Sequence, residues 1–235
     1  GSKYWFNCNP QGPYHWFKVN WIDKRKEKNL IHLHFTMDDN LSLSEKVKER
    51  YRAMYSGVFF QRYILGLWVM AEGIIYDMFS EKKHSVDTIA REYTRYYISI
   101  DYGTQNPTVF GLWGYYNGVW YKVKEYHYSG RETNKQKTDS EYADDLQQFI
   151  GDLKIISVIV DPSAASFIAE LRKRGLKVRK AKNNVVDGIR IVATALSTGK
   201  IKYNDCCKKT IEEFYSYVWD SKAADRGEDK PVKNL

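Results

Sequence analysis

From Arg95 onward the chain runs through residue patterns in an order that few folds accept. Tyr96-Tyr97-Ile98-Ser99-Ile100-Asp101 reads as a strand, and the turn Tyr102 to Pro107 follows it. Thr108 to Tyr116 and Val119 to Tyr128 are two further strands, joined by Asn117-Gly118, the dipeptide of a tight two-residue hairpin. A polar connector leads to a helix over about 138–151. Ile155 to Val160 is a continuous apolar run, as expected of a strand buried on both faces. Helical spacing over 166–174, a short strand over 177–182 and a helix over 185–196 ended by Gly199 come next. An extended stretch at 201–203, a helix over 208–218 and a polar, turn-rich tail from Asp220 complete the series. Three strands in hairpins, then alternating helices and strands, predict an α/β mixed sheet flanked by helices, with an antiparallel meander feeding a parallel half-sheet.

Residues 3–80 have a different texture. Tyr4 to Trp16 is aromatic-rich and broken by Pro10, Gly12 and Pro13, which forbid a regular helix. Ile31-His32-Leu33-His34-Phe35 alternates and predicts a short strand. A helix is expected over roughly 44–55, and apolar residues at helical spacing over 59–69 predict another, interrupted by Gly66. The 235 residues suffice for one large domain or a domain with a smaller attachment. No run of 18 apolar residues is present, which excludes a transmembrane helix. Three cysteines, Cys8 and the adjacent Cys206 and Cys207, form neither a disulfide framework nor a zinc pattern.

Two acids close predicted strands: Asp101 the first, Asp161 the apolar run ending at Val160. In this strand order the first and fourth strands lie side by side and parallel, so both carboxylates emerge at the strand ends where α/β sheets bind ligands. Paired carboxylates repel and call for a cation between them, and Mg²⁺ or Mn²⁺ prefers such an oxygen cage. Two ions about 4 Å apart can activate a water and stabilise a leaving oxygen in phosphodiester hydrolysis. The structural alternatives are a turn role for Asp101 before Tyr102-Gly103 and a helix N-cap for Asp161 before Pro162-Ser163. Glu125 reads as an exposed strand acid, and His84 and His127 as structural or surface residues. The net charge is +8. Its densest run is Arg172, Lys173, Arg174, Lys177, Arg179, Lys180 and Lys182, a polyanion-binding surface or simply a solvated helix end and edge strand.

Ile100-Asp101-Tyr102-Gly103 and Val160-Asp161-Pro162-Ser163 resemble the two acidic strand-end motifs of the nuclease domain in large terminase subunits of tailed bacteriophages. The front half agrees. Asn7-Cys8-Asn9-Pro10, Pro13-Tyr14-His15-Trp16 and Phe35-Thr36-Met37-Asp38-Asp39-Asn40 resemble the end of the terminase ATPase domain. Tyr55-Ser56-Gly57, Arg62 to Trp68 and Glu72 to Tyr76 resemble the linker that follows. The resemblance implies a ribonuclease H-like nuclease domain over 81–235, preceded over about 1–80 by the end of the ATPase domain and linker. It also implies a metal-dependent endonuclease, using two Mg²⁺ or Mn²⁺ ions, that cuts concatemeric double-stranded DNA with little sequence preference. The partners implied are duplex DNA, the portal protein and the small terminase subunit, with no membrane, in the cytoplasm of the infected bacterium. No G-x-x-x-x-G-K-[ST] motif occurs, so ATPase activity is not expected. The family's third metal-binding acid is expected near the end, with Asp225 and Asp229 as candidates or a ligand past Leu235; on two acids alone, cutting is expected to be weak or absent. Two other functions are open to the residues themselves: a non-catalytic DNA-binding or docking module, and an ATP-binding domain of the actin and sugar-kinase group.

Overall fold

Seven segments pair into one sheet in a computed structural model that describes residues 3–103 and 106–232. They are β1 (Ser85–Val86), β2 (Arg95–Asp101), β3 (Thr108–Tyr116), β4 (Val119–Tyr128), β5 (Ile155–Val160), β6 (Val178–Lys180) and β7 (Ile201–Asn204). The helices are α1 (Glu45–Met54), α2 (Gly57–Tyr63), α3 (Glu81–His84), α4 (Gly130–Thr133), α5 (Asp139–Ile150), α6 (Ala165–Lys173), α7 (Val185–Ser197), α8 (Lys208–Ser216) and α9 (Ser221–Ala224). The chain divides into two compact units. Among the described residues, one comprises 3–79, 185–198 and 214–232; the other comprises 80–184 and 199–213.

The second unit holds the whole sheet, in the order β1-β7-β4-β3-β2-β5-β6. β2, β3 and β4 form the expected antiparallel meander, and Asn117 and Gly118 both take positive φ (47° and 78°), the conformation a two-residue hairpin turn requires. β5 then pairs with β2 in parallel and β6 with β5 in parallel, while β7 pairs in parallel with β4 on the other flank. One sheet face carries Ile98, Ile100, Phe110, Leu112, Val158 and Val160. They pack against Tyr142, Ala143, Leu146 and Ile150 of α5 and Phe167, Ile168 and Leu171 of α6. Each such side chain contributes about 1.5–3 kcal/mol on full burial. α5 begins with a capping box: the Glu141 amide donates to Thr138 Oγ1 (3.2 Å) and the Thr138 amide to Glu141 Oε2 (2.8 Å).

The first unit has its own small core of Phe59, Ala71, Ile75, Ile189 and Trp219. Two sequence expectations fail here. Ile31–Phe35 forms no strand, and Ile31, Leu33 and Phe35 are 83%, 65% and 71% exposed. Alternation supplies an apolar edge, but a strand also needs a ladder partner, and none pairs with it among the described residues. The helix expected over 59–69 stops at Tyr63, because Gly66 turns left-handed (φ 67°). A Cβ on Gly66 would lie 2.3 Å from Nε2 of His34, whose ring hydrogen-bonds the Gly66 carbonyl at 3.1 Å. The tail is more ordered than a turn-rich loop. Trp219 bridges Pro231, the Asp220 amide donates to the Lys230 carbonyl (2.8 Å), and Ala223 and Ala224 of α9 are buried. No helix among the described residues is long and apolar enough to cross a membrane.

Leu146 is fully buried between α5 and the sheet. Leu146→Ala should destabilise the protein by about 2–5 kcal/mol in urea unfolding, the range for emptying a packed leucine site.

Candidate metal and nucleic-acid site

Ile100 of β2 stands opposite Val160 of β5 in a parallel register, so the next residue on each strand, Asp101 and Asp161, emerges at the same sheet end. The backbone beyond Asp101 is pinned. The Tyr102 hydroxyl donates to Asp139 Oδ1, its ring stacks on Phe167 at 4.7 Å, and the buried Thr108 hydroxyl donates to the Gly103 carbonyl (3.1 Å). Thr104 and Gln105 of this turn lie outside the described residues.

The two carboxylates have opposite environments. Among the described residues no donor engages Asp101; crowding by surrounding protein, and then the charge of Asp161, push its pKa up. Asp161 is instead held ionised, its pKa lowered by the hydroxyl and amide of Ser163 and the side-chain amide of Asn183. Ser163 N lies 2.7 Å and Ser163 Oγ 2.5 Å from Oδ1, and Asn183 Nδ2 lies 2.9 Å from Oδ2. Asp161 is therefore not an N-cap. α6 starts at Ala165, four residues on, and has no side-chain cap, while Asp161 closes a local turn ahead of it.

Glu125 is not the exposed strand acid that its position suggested. Its side chain is 9% exposed, 3.3 Å from the Lys122 ammonium, and it accepts from the amides of Lys209 (2.8 Å) and Thr210 (3.3 Å). The first turn of α8 follows Cys207, which cannot cap a helix well, and Glu125 reaches across from β4 to supply the missing acceptor. Glu213, which sequence reasoning passed over, sits in the same neighbourhood. Burial raises its pKa, with Glu125 and Asp101 adding to the rise and Lys122 and His127 opposing it. The period of α8 was the available signal, since it sets Thr210 and Glu213 three residues apart on one face. His84 is buried against Ser80 and structural.

Of the seven clustered cations, Arg174 is committed within the fold. It pairs with Asp144 and with Glu170 (2.8 Å) and donates to the Ser140 carbonyl (3.1 Å), tying α6 to α5. Arg172, Lys173, Lys177, Arg179, Lys180 and Lys182 lie along the end of α6 and on or beside the edge strand β6, and all six are exposed. β6 runs parallel to β5, so the chain leaves β6 at the sheet end that carries Asp161. Asp229 belongs to the other unit, where the buried Arg62 guanidinium claims both its oxygens and the Val69 carbonyl. Asp225 follows α9 as an exposed residue. No group of three or more His, Cys, Asp or Glu side chains converges on a metal-sized site among the described residues.

The sheet order and the acids at its ends define a ribonuclease H-like α/β fold of the kind found in terminase nuclease domains. The large terminase nuclease of thermophilic phage G20c, crystallised with magnesium, shares that fold, with a TM-score of 0.51 at 16% identity over 69% of this chain and 88% of its own. Residues 2–83 match the family described as "Terminase large subunit, T4likevirus-type, N-terminal". The large terminase of another thermophilic bacteriophage, solved in complex with ADP, is 71% identical and superposes with a TM-score of 0.96 over 98% of this chain. The curated large terminase subunit of Escherichia phage T5 is 26% identical over 93% of this chain. The chain is thus similar along nearly all of its length to phage large-terminase subunits, as its motifs suggested. It spans 51% of the T5 protein and 58% of the ADP-bound terminase.

The opposite pKa shifts predict opposite effects on stability without metal. Asp101 has a folded pKa above its ordinary 3.8, so its ionisation weakens the fold as pH rises from the unfolded value through the folded one. Asp161, with a lowered pKa, contributes stability above its ordinary value that is lost as pH falls through the folded pKa. In chelator at pH 7, Asp101→Asn should raise the melting temperature and Asp161→Asn lower it, both differences fading at pH values well under the ordinary carboxylate range. Shifts of the same sign would contradict the assignment of the two environments.

Proposed function

We propose that this stretch is the metal-dependent DNA-cutting part of a genome-packaging terminase, with residues 81–235 as the nuclease domain and about 1–80 as the end of the ATPase domain and linker. The observation that carries it is the pair Asp101 and Asp161 at the ends of adjacent parallel strands, one with no donor on its carboxylate among the described residues and the other held as an anion. That all-oxygen donor set suits Mg²⁺ or Mn²⁺, and a relative's nuclease was crystallised with magnesium. Asp101 and Asp161 are the residues that would hold such ions. When bound, divalent ions supply water activation and charge neutralisation at the leaving oxygen. Asp101 accepts the larger share of that role, because no donor among the described residues competes for its oxygens. Asp161 contributes a fixed negative charge whose orientation is already set.

The substrate is double-stranded DNA, cut from a concatemer with little sequence preference. Lys177, Arg179 and Lys180 on and beside the β6 edge contact phosphates, which position a duplex without reading its bases. The portal protein and the small terminase subunit are the protein partners, and the setting is the cytoplasm of the infected bacterium. ATP hydrolysis is not assigned to this stretch. Two carboxylates are a sparse ligand set for two ions, and Asp229 is already neutralised by Arg62, so cutting should be weak and better with Mn²⁺, whose coordination is more forgiving, than with Mg²⁺.

Asp101→Ala should abolish plasmid nicking in Mn²⁺ while leaving the melting curve cooperative; nicking at the parent's rate would remove Asp101 from the site. Replacing Lys177, Arg179 and Lys180 together by Ala should weaken binding to all duplexes alike. The slope of log affinity against log salt should flatten by about 0.9 for each phosphate that is no longer neutralised, and an unchanged slope would place the duplex elsewhere.

A further inference from the structure

Asp161 has an acceptor inventory that can be counted. Each carboxylate oxygen offers two in-plane lone-pair directions. Oδ1 already takes two donors, the amide and the hydroxyl of Ser163, at 2.7 and 2.5 Å. Oδ2 takes one, Asn183 Nδ2 at 2.9 Å. Among the described residues, one direction on Oδ2 remains.

The position of Asn183 follows from the sheet. β6 pairs in parallel with β5, and the Ala181 amide donates to the Val160 carbonyl at 2.8 Å, which fixes the β6 exit beside the β5 exit. Two residues further on, Asn183 reaches the carboxylate that follows Val160. The residue type matters. A lysine here would neutralise Asp161 and compete with a cation, and an acid would repel it. A neutral amide donor orients the carboxylate and leaves its charge intact. The same short stretch carries Arg179, Lys180 and Lys182, so the segment that orients Asp161 is continuous with the basic edge.

We propose that Asn183 is a positioning residue, which restrains the rotation of Asp161 so that a divalent cation is met by Oδ2 alone, in monodentate fashion. The proposal rests on the reading of Asp161 as a metal ligand. Side chains that orient a ligating carboxylate typically affect metal affinity by about 10- to 100-fold. Asn183 is exposed, so its replacement should leave the fold intact, at the cost of one hydrogen bond to Asp161.

The test is titration of the whole chain with Mn²⁺ alone, free ion being counted by electron paramagnetic resonance, alongside melting curves in chelator. Asn183→Leu, similar in volume but without a donor, should lose about tenfold in Mn²⁺ affinity, with a fall in metal-free melting temperature no larger than that of Asp161→Asn. Asn183→Gln, whose longer side chain still brings an NH₂ to Oδ2, should keep most of the affinity. Parental affinity in Asn183→Leu, or equal losses in both variants, overturns the positioning role. Asp161→Asn separates the two levels of inference. If it binds Mn²⁺ like the parent, the metal site itself is misassigned and this proposal falls with it. If it loses Mn²⁺ while Asn183→Leu does not, the metal site stands and Asn183 has no part in it.

Discussion

The parallel pairing of β2 with β5 is the constraint on which the candidate site depends. Ile98, Ile100, Val158 and Val160 are at most 6% exposed and lie at the centre of the larger core. Four such side chains contribute about 1.5–3 kcal/mol each. That outweighs the repulsion of two partly solvated carboxylates, which is on the order of a few kcal/mol near a protein surface. The sheet can therefore hold two acids together that would separate in a free chain. A slip of one residue would reverse the faces of the strand, so burial fixes the register and the register fixes the acids.

Carboxylates with the same chemistry are sorted into different roles by what surrounds them. Asp101 meets no donor among the described residues, and its pKa is raised by crowding and by Asp161. Asp161 is locked by Ser163 and Asn183. Glu125, on β4, is drawn off to the unsatisfied amides at the start of α8, and Asp229 is claimed by Arg62. Backbone donors at a helix start and a buried guanidinium are strong competitors for an anion, since leaving buried donors or a buried charge uncompensated is costly. The acid left without such a partner is the one most open to an external cation.

Basic residues divide in the same way. Arg174 commits its planar fork to Asp144, Glu170 and Ser140, binding α6 to α5, whereas Arg179 and Lys180 project from the edge strand into solvent. Positive charge on that edge also discourages pairing with a foreign strand. The same cations can thus protect the sheet in the free protein and meet phosphate when a duplex is present.

Much of the sheet was legible in the sequence because its signals are local. The Asn117-Gly118 turn, the apolar run 155–160 and the order of periodicities each act between neighbouring residues, and the structure contains them where expected. The emergence of Asp101 and Asp161 at one sheet end was legible as well, but only through strand order. What escaped depended on distant partners. Ile31–Phe35 alternates like a strand yet has no ladder partner among the described residues, and Gly66 ends a helix to accommodate His34 from far upstream. Glu125 reads as a surface acid until α8, far later in the chain, presents its bare amides. Asn183 carries no motif, and only the β5–β6 register brings it to Asp161. Sequence by itself determined which strands form and which acids end them, because backbone propensity and burial pattern are properties of neighbouring residues. Only the tertiary structure decided which carboxylates remain available, because that depends on which donors remote segments bring to each oxygen.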